Sequence, residues 1–298
     1  MADSWRYALR KAFRVGLSAL RRIVYFPRRQ LSRWSVPDAP PATTVDGTPA
    51  RAVHRIRCAE VWGGIHNADL ECVTSGVRAS LHSSACDGGR GGDVYYFSVC
   101  GADSLTRVAL ADVTGHGEAV SRVGQWLYDA LAARMNSLRG DRVLGELNDL
   151  AEHYGFAAIS TLAVVQYYRR KTRLYVSYAG HPPALVFRQQ LRTWQPAEVP
   201  EGAGLVNLPI GVSDQTHYQQ HAIPLASGDR VLLYTDGVLE APGRDGSQFG
   251  LERLVSIAQA SNGKTLFEFK TAVMDAVREH TGGPLEHDDV TVLAMEVI

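Results

Sequence analysis

Cysteine is scarce. The 298 residues hold four, Cys58, Cys72, Cys86 and Cys100, with no Cys-x-x-Cys pair among them, which removes the usual signatures of thiolate zinc sites and dithiol redox centres. So few thiols fit a reducing, cytoplasmic setting. Long apolar runs are also missing: no stretch approaches the ~20 uninterrupted residues of a membrane-spanning helix. Arginines break up the apolar positions near the N-terminus, so a secretory signal is not expected. Net charge is absent too, with 31 Lys and Arg against 31 Asp and Glu. The balance is uneven along the chain, however: residues 1–40 carry nine Arg and Lys against two Asp.

That basic excess lies in a segment of helical period. Trp5, Leu9, Phe13, Leu17, Leu20 and Val24 form one stripe, and Arg10, Lys11, Arg14, Arg21 and Arg22 surround it. Residues 1–34 are therefore expected to form a basic amphipathic helix. It would serve for packing, self-association or peripheral attachment to an anionic membrane through residues 5–26. The basic residues sit in one helix without RNA-binding aromatic motifs, which argues against nucleic acid as a partner. Residues 35–50, SVPDAPPATTVDGTPA, have the composition of a flexible linker. Residues 51–298 would then make the folded domain.

Within 51–298, strand-like runs fall at 94–100, 106–111, 161–168, 173–179, 184–188, 230–235 and 290–297. Helices are expected at 118–137, 142–154, 251–260 and 265–281. The runs 161–168 and 173–179, joined by RRKT, read as a hairpin. Grouped strands and grouped helices indicate an α+β fold with antiparallel sheet rather than βαβ alternation. Four aspartates sit at the ends of these runs: Asp93 and Asp288 before a strand, Asp112 and Asp236 after one. If the two kinds of strand run antiparallel, all four carboxylates emerge at one sheet edge, and their mutual repulsion calls for a bound cation. An all-oxygen site suits Mg²⁺ or Mn²⁺. No Gly-Lys-Ser/Thr follows the glycines beside these aspartates, so they do not form a nucleotide-phosphate loop.

The motifs GGD (91–93), ADVTGHG (111–117), YAGHPPAL (178–185), LPIGV (208–212), GDRVLLYTDGVLEA (228–241) and HDDVTVL (287–293) occur in a telling order. Over roughly residues 58–298 the chain resembles the SpoIIE-type branch of the metal-dependent (PPM) serine/threonine phosphatases. The resemblance implies an antiparallel β-sandwich flanked by helices, with two Mn²⁺ or Mg²⁺ ions at one end. By the same resemblance, Asp112 bridges both ions and the Val113 carbonyl is the adjacent ligand. Asp93 binds one ion, Asp236 and Asp288 bind the other, and Asp289 is the less favoured member of its pair. Tyr96 stands where many relatives have Asp. His116 stands where some have Asn or Lys; it is a candidate general acid, and Arg90 a candidate phosphate contact.

The implied chemistry is hydrolysis of phosphoserine or phosphothreonine on a regulatory partner protein, such as an anti-sigma-factor antagonist, with no protein nucleophile. Two other readings stand beside it: a catalytically silent binding module of the same fold, and a metal-dependent hydrolase of small phosphoesters. His181 reads as a turn residue, and Trp62 as packing.

Overall fold

The computed structural model describes residues 53–58, 60–100, 103–115, 120–151, 154–155, 158–200 and 204–298. The helix and linker expected over 1–34 and 35–50, and His116, lie outside the described residues. Two sheets account for the strands. The seven-stranded sheet runs in the order β1 (Val53–Arg55), β3 (Ala68–Val73), β4 (Val77–Ser84), β13 (Val290–Val297), β12 (Arg230–Tyr234), β9 (Leu185–Arg188), β10 (Thr193–Pro196). The six-stranded sheet runs β11 (His221–Pro224), β8 (Arg173–Ala179), β7 (Ser160–Tyr168), β6 (Leu105–Val113), β5 (Arg90–Cys100), β2 (Val61–His66). Apart from the parallel pair β1–β3, neighbouring strands are antiparallel. The α+β sandwich expected from the sequence is the fold observed.

Side-chain alternation explains the layering. Along β6, Val108 and Leu110 point into the core between the sheets, whereas Ala109, Ala111 and Val113 point to the helices outside. Along β13, Leu293 and Met295 face the inter-sheet core and Val290, Val292 and Ala294 face outward. Both central strands are thus apolar on both faces, which requires a cover of helices on each side. Helices α1 (Ser121–Arg134) and α2 (Gly140–Ala151) bury Leu127, Leu131, Leu144 and Leu147 against the six-stranded sheet. On the other side, α4 (Gly250–Ala260) and α5 (Leu266–Thr281) bury Leu254, Phe269 and Val273. The short α3 (Asp236–Leu239) follows β12 directly.

Local chemistry sets the helix ends. Thr265 and Glu268 form a reciprocal capping box at the start of α5, and Gly282 closes it in the left-handed region at φ 76°. The tripeptide Gly263-Lys264-Thr265 therefore joins two helices and spends its threonine on a cap, unlike a strand-to-helix phosphate loop. The hairpin β7–β8 forms as expected, turning through Thr172 at φ 47°. Among the described residues, no helix is long and apolar enough to cross a membrane.

Two expectations need correction. Asp93 and Asp112 lie inside β5 and β6 rather than beyond their ends, because pairing continues past the apolar run; Asp112 is opposite Thr161 and Val113 opposite Ser160. The four aspartates also do not share one sheet edge. Asp93 and Asp112 belong to the six-stranded sheet, while Asp236 and Asp288 flank strands of the other.

Candidate metal centre

The register Val94↔Ala111 sets Asp93 and Asp112 side by side on neighbouring strands. From the facing sheet, Tyr234↔Val292 aligns β12 with β13, so that Thr235-Asp236 and Asp288-Asp289 arrive at the same end of the sandwich. A hydrogen-bonded clasp joins the two sheets there. Thr235 Oγ1 and Thr291 Oγ1 both donate to Asp93 Oδ2, at 2.9 and 2.7 Å. The Thr291 N–H donates to Thr235 Oγ1 at 3.0 Å, and the Ser83 hydroxyl lies 2.9 Å from Thr291 Oγ1. Asp93 is only 4% exposed, so these hydroxyls supply donors that water cannot. Thr291→Val keeps the shape and removes one of them. It is expected to cost about 1–2 kcal/mol, a fall of roughly 3–6 °C in Tm by scanning calorimetry; an unchanged Tm would mean the clasp adds nothing.

The electrostatics are those of crowded, desolvated carboxylates. Burial pushes Asp93 well above the usual carboxylate range; the Thr291 hydroxyl pulls it back, and Asp289 and Asp236 push it up again. Asp112 is raised well above that range by burial, and then by Asp236, Asp93, Asp288 and Asp289. Asp236 is raised to about 6, by burial first and then by Asp288 and Glu240. Each carboxylate therefore feels several of the others. Asp93 is buried and Asp112, Asp236 and Asp288 are half-buried, and crowded like charges of this kind are offset by a cation more readily than by any rearrangement of the same side chains.

Two glycines permit the close approach. A Cβ on Gly92 would lie 2.9 Å from Val120 Cγ2 and 3.0 Å from the Val113 carbonyl oxygen, so the start of β5 packs directly on the segment after β6. A Cβ on Gly237 would lie 2.0 Å from the Asp289 carbonyl oxygen, so the first turn of α3 touches the backbone leading into β13. His287 Nε2 donates to the Gly237 carbonyl at 2.8 Å and fixes that turn from the other side.

The remaining candidates are dispersed. Arg90 is exposed at the first position of β5, paired with His66. Asp289 is 2% exposed and is turned to backbone amides, and Asp93 to its threonines. Accordingly, among the described residues no three His, Cys, Asp or Glu side chains are gathered into a ready ligand group. His181 is buried, its Nδ1 donating to the Pro182 carbonyl, and burial pushes it down to about 4, so it is neutral near pH 7. Trp62 packs beside Tyr95 at the edge of the inter-sheet core. The spacing Cys72-x5-Arg78 is that of a phosphocysteine loop, but it spans the β3–β4 turn. The Cys72 thiol is buried and pushed up to about 12, the opposite of a thiolate nucleophile. Gly237 was expected from the sequence to allow close backbone approach; Thr235, Thr291 and His287 were not singled out, and each lies within two residues of a motif aspartate, which is the signal that could have found them.

A family model described as Stage II sporulation protein E (SpoIIE) matches residues 102–298. Phosphoserine phosphatase RsbU of Bacillus subtilis (strain 168) is 27% identical over 208 residues, covering 68% of this chain and 58% of RsbU. The crystal structure of the RsbU and RsbW domains of Rv1364c from Mycobacterium tuberculosis is similar with a TM-score of 0.65 at 23% identity, covering 78% of this chain and 62% of that one. RsbX, solved in complex with magnesium, is similar with a TM-score of 0.57 at 12% identity, covering 78% of this chain and all of RsbX. At these identities the solved structures share the fold. The chain spans less than two thirds of RsbU and of the Rv1364c chain.

Proposed function

The chain belongs to the SpoIIE family and has the sandwich fold of PPM phosphatases, and from that premise we propose that it is a metal-dependent phosphoprotein phosphatase acting on phosphoserine or phosphothreonine. The observation that carries this reading is the meeting of buried Asp93 with half-buried Asp112 and Asp236 from the two sheets, each raised by desolvation and then by neighbouring carboxylates. The donor set fits hard divalent cations: all the crowded groups are oxygens, and the thiol of Cys86, whose N–H Asp289 accepts, is itself pushed up to about 11 by burial and by Asp289. RsbX, of the same fold, was solved with magnesium, and RsbU carries the name phosphoserine phosphatase.

In this reading Asp112 would hold both ions, with the Val113 carbonyl beside it, Asp93 would serve one ion, and Asp236 and Asp288 would serve the other. When bound, two Mg²⁺ or Mn²⁺ ions supply an acidified water and neutralise phosphoryl oxygens. The chain's own part is preorganisation. The Thr235–Thr291 clasp aims Asp93 before any ligand arrives. Arg90, exposed at the rim, is free to meet the phosphate with a two-pronged guanidinium contact. His116 follows Asp112 by four residues and is the nearest histidine in sequence able to protonate a leaving serine oxygen. Residues 5–26 would dock the enzyme to a membrane surface or to a second copy, and an anti-sigma-factor antagonist is a fitting substrate class.

The test is hydrolysis by the purified full chain, assayed on phosphoserine- and phosphothreonine-bearing regulatory proteins and on an aryl phosphate, with Mn²⁺ or Mg²⁺. Release of phosphate from the proteins is expected. Turnover of small esters alone would make the chain a small-molecule phosphoesterase. Metal-saturated protein inert toward every substrate would make it a binding module.

A further inference from the structure

Asp289 differs from the other aspartates of the cluster in what it touches. Its Oδ1 accepts the Cys86 N–H at 2.9 Å and its Oδ2 accepts the Gly92 N–H at 2.6 Å. Its own N–H is taken by the Asp288 Oδ1 at 2.8 Å, and its carbonyl abuts Gly237. A single side chain, 2% exposed, therefore ties the segment after β4 to the first residues of strand β5, one residue before Asp93. The sequence leaves room for that contact. A Cβ on Gly91 would lie 2.5 Å from Asp289 Oδ2, so any larger residue there would push the carboxylate off the backbone.

A carboxylate that spreads both oxygens over two backbone amides has its charge met by the protein itself. Asp112 contrasts with it: no hydrogen bond to its side chain is found among the described residues, and its neighbours are carboxylates. Resting on the metal-centre reading above, we propose that Asp289 is a positioning residue and not an ion ligand: it clamps the Gly92 and Cys86 amides and so fixes where β5 presents Asp93. Of the paired Asp288-Asp289, one residue then serves the ions and its neighbour serves the scaffold.

Two measurements on the full chain test this, neither of them an activity. In calorimetric Mn²⁺ titrations, Asp289→Asn is expected to keep the two-ion stoichiometry of the unmutated protein with affinity about 10–100-fold weaker, the usual effect of losing an outer support. Binding of one ion fewer would overturn the proposal. In the metal-free protein, Asp289→Asn is expected to lower Tm by about 5 °C or more, because an amide cannot accept from both N–H groups and turns its own NH₂ toward one of them. Asp112→Asn, which only relieves crowding, is expected to raise Tm. A rise in both variants would overturn the assignment. Should Asp289→Asn fail to fold, hydrogen exchange of the Gly92 and Cys86 amides in the unmutated protein decides. Both amides are expected to stay protected with and without Mg²⁺, and loss of protection on adding Mg²⁺ would show the carboxylate leaving them for the ion. An unmutated chain that binds no metal would instead overturn the metal-centre reading, while the metal-free Tm comparison would still report on the clamp.

Discussion

Asp112→Asn is expected to abolish hydrolysis and, in the metal-free protein, to raise stability at neutral pH. The loss follows from its place between the carboxylates of both sheets: a neutral amide would weaken both ion sites at once. On the order of a 10³-fold drop in turnover is expected, at least that of removing one charge-stabilising donor from an active site. The gain follows from burial and from the neighbouring Asp236, Asp93, Asp288 and Asp289, which raise Asp112 well above the usual carboxylate range. A carboxyl whose folded pKa exceeds its unfolded value, ~3.9, costs nothing below that value. Its penalty grows as pH climbs toward the folded pKa and stays constant above it. Asparagine carries no such penalty. With EDTA present, the variant should therefore melt higher than the unmutated protein at pH 7, with the difference shrinking near pH 4. A variant that melts lower at both values would mean that Asp112 is held by favourable contacts and not by crowding.

Chelation is expected to have the other large effect. Hydrolysis of an aryl phosphate should vanish in EDTA and return with excess Mn²⁺ or Mg²⁺. The ions should also stabilise the folded chain, since the unfolded chain has no assembled site. At a hundredfold excess over Kd a single site contributes about 2.7 kcal/mol, roughly 5–10 °C for a domain of this size. Protons compete for the same oxygens. Asp236, raised to about 6, is mostly protonated at pH 5 and mostly ionised at pH 7.5. The metal-induced rise in Tm should accordingly be large at pH 7.5 and small at pH 5. Activity surviving full chelation, or a metal effect on Tm that ignores pH, would sink the carboxylate-cluster account.

The candidate carboxylates were more legible in the sequence than the architecture that brings them together. Asp93, Asp112, Asp236 and Asp288 stood out because each interrupts or borders a β-branched run beside a turn. Helix α5 could be bounded to within a residue, since the Thr265–Glu268 cap and Gly282 act over a few residues. That the aspartates come from two sheets was hidden, because sheet membership is decided by pairings across the whole chain. Strand β2 was missed for a local reason, since VWGGIH carries two glycines and no alternation; β4 was missed although VRASLH alternates apolar with polar, because its alanine, serines and histidine are weak strand formers. Thr235 and Thr291 looked like ordinary strand formers. Only the meeting of the sheets turns their hydroxyls toward Asp93.

The pairing of β4 with β13 also bears on how the molecule comes into being. All eight residues of Val77–Ser84 find partners in Val290–Val297, and Ser83 and Thr291, in hydroxyl contact, are 208 residues apart. Closing a loop of that length in a bare chain gives up about 5 kcal/mol of entropy before any contact is rewarded. Until the late strand arrives, β4 and β12 both present open hydrogen-bonding edges beside apolar faces, the state from which nascent chains aggregate. Such high contact order makes for slow folding and a need for shelter on the way. Asp288 and Asp289 lead into that same strand, so the carboxylate cluster stays incomplete until residues from the far end of the chain have docked.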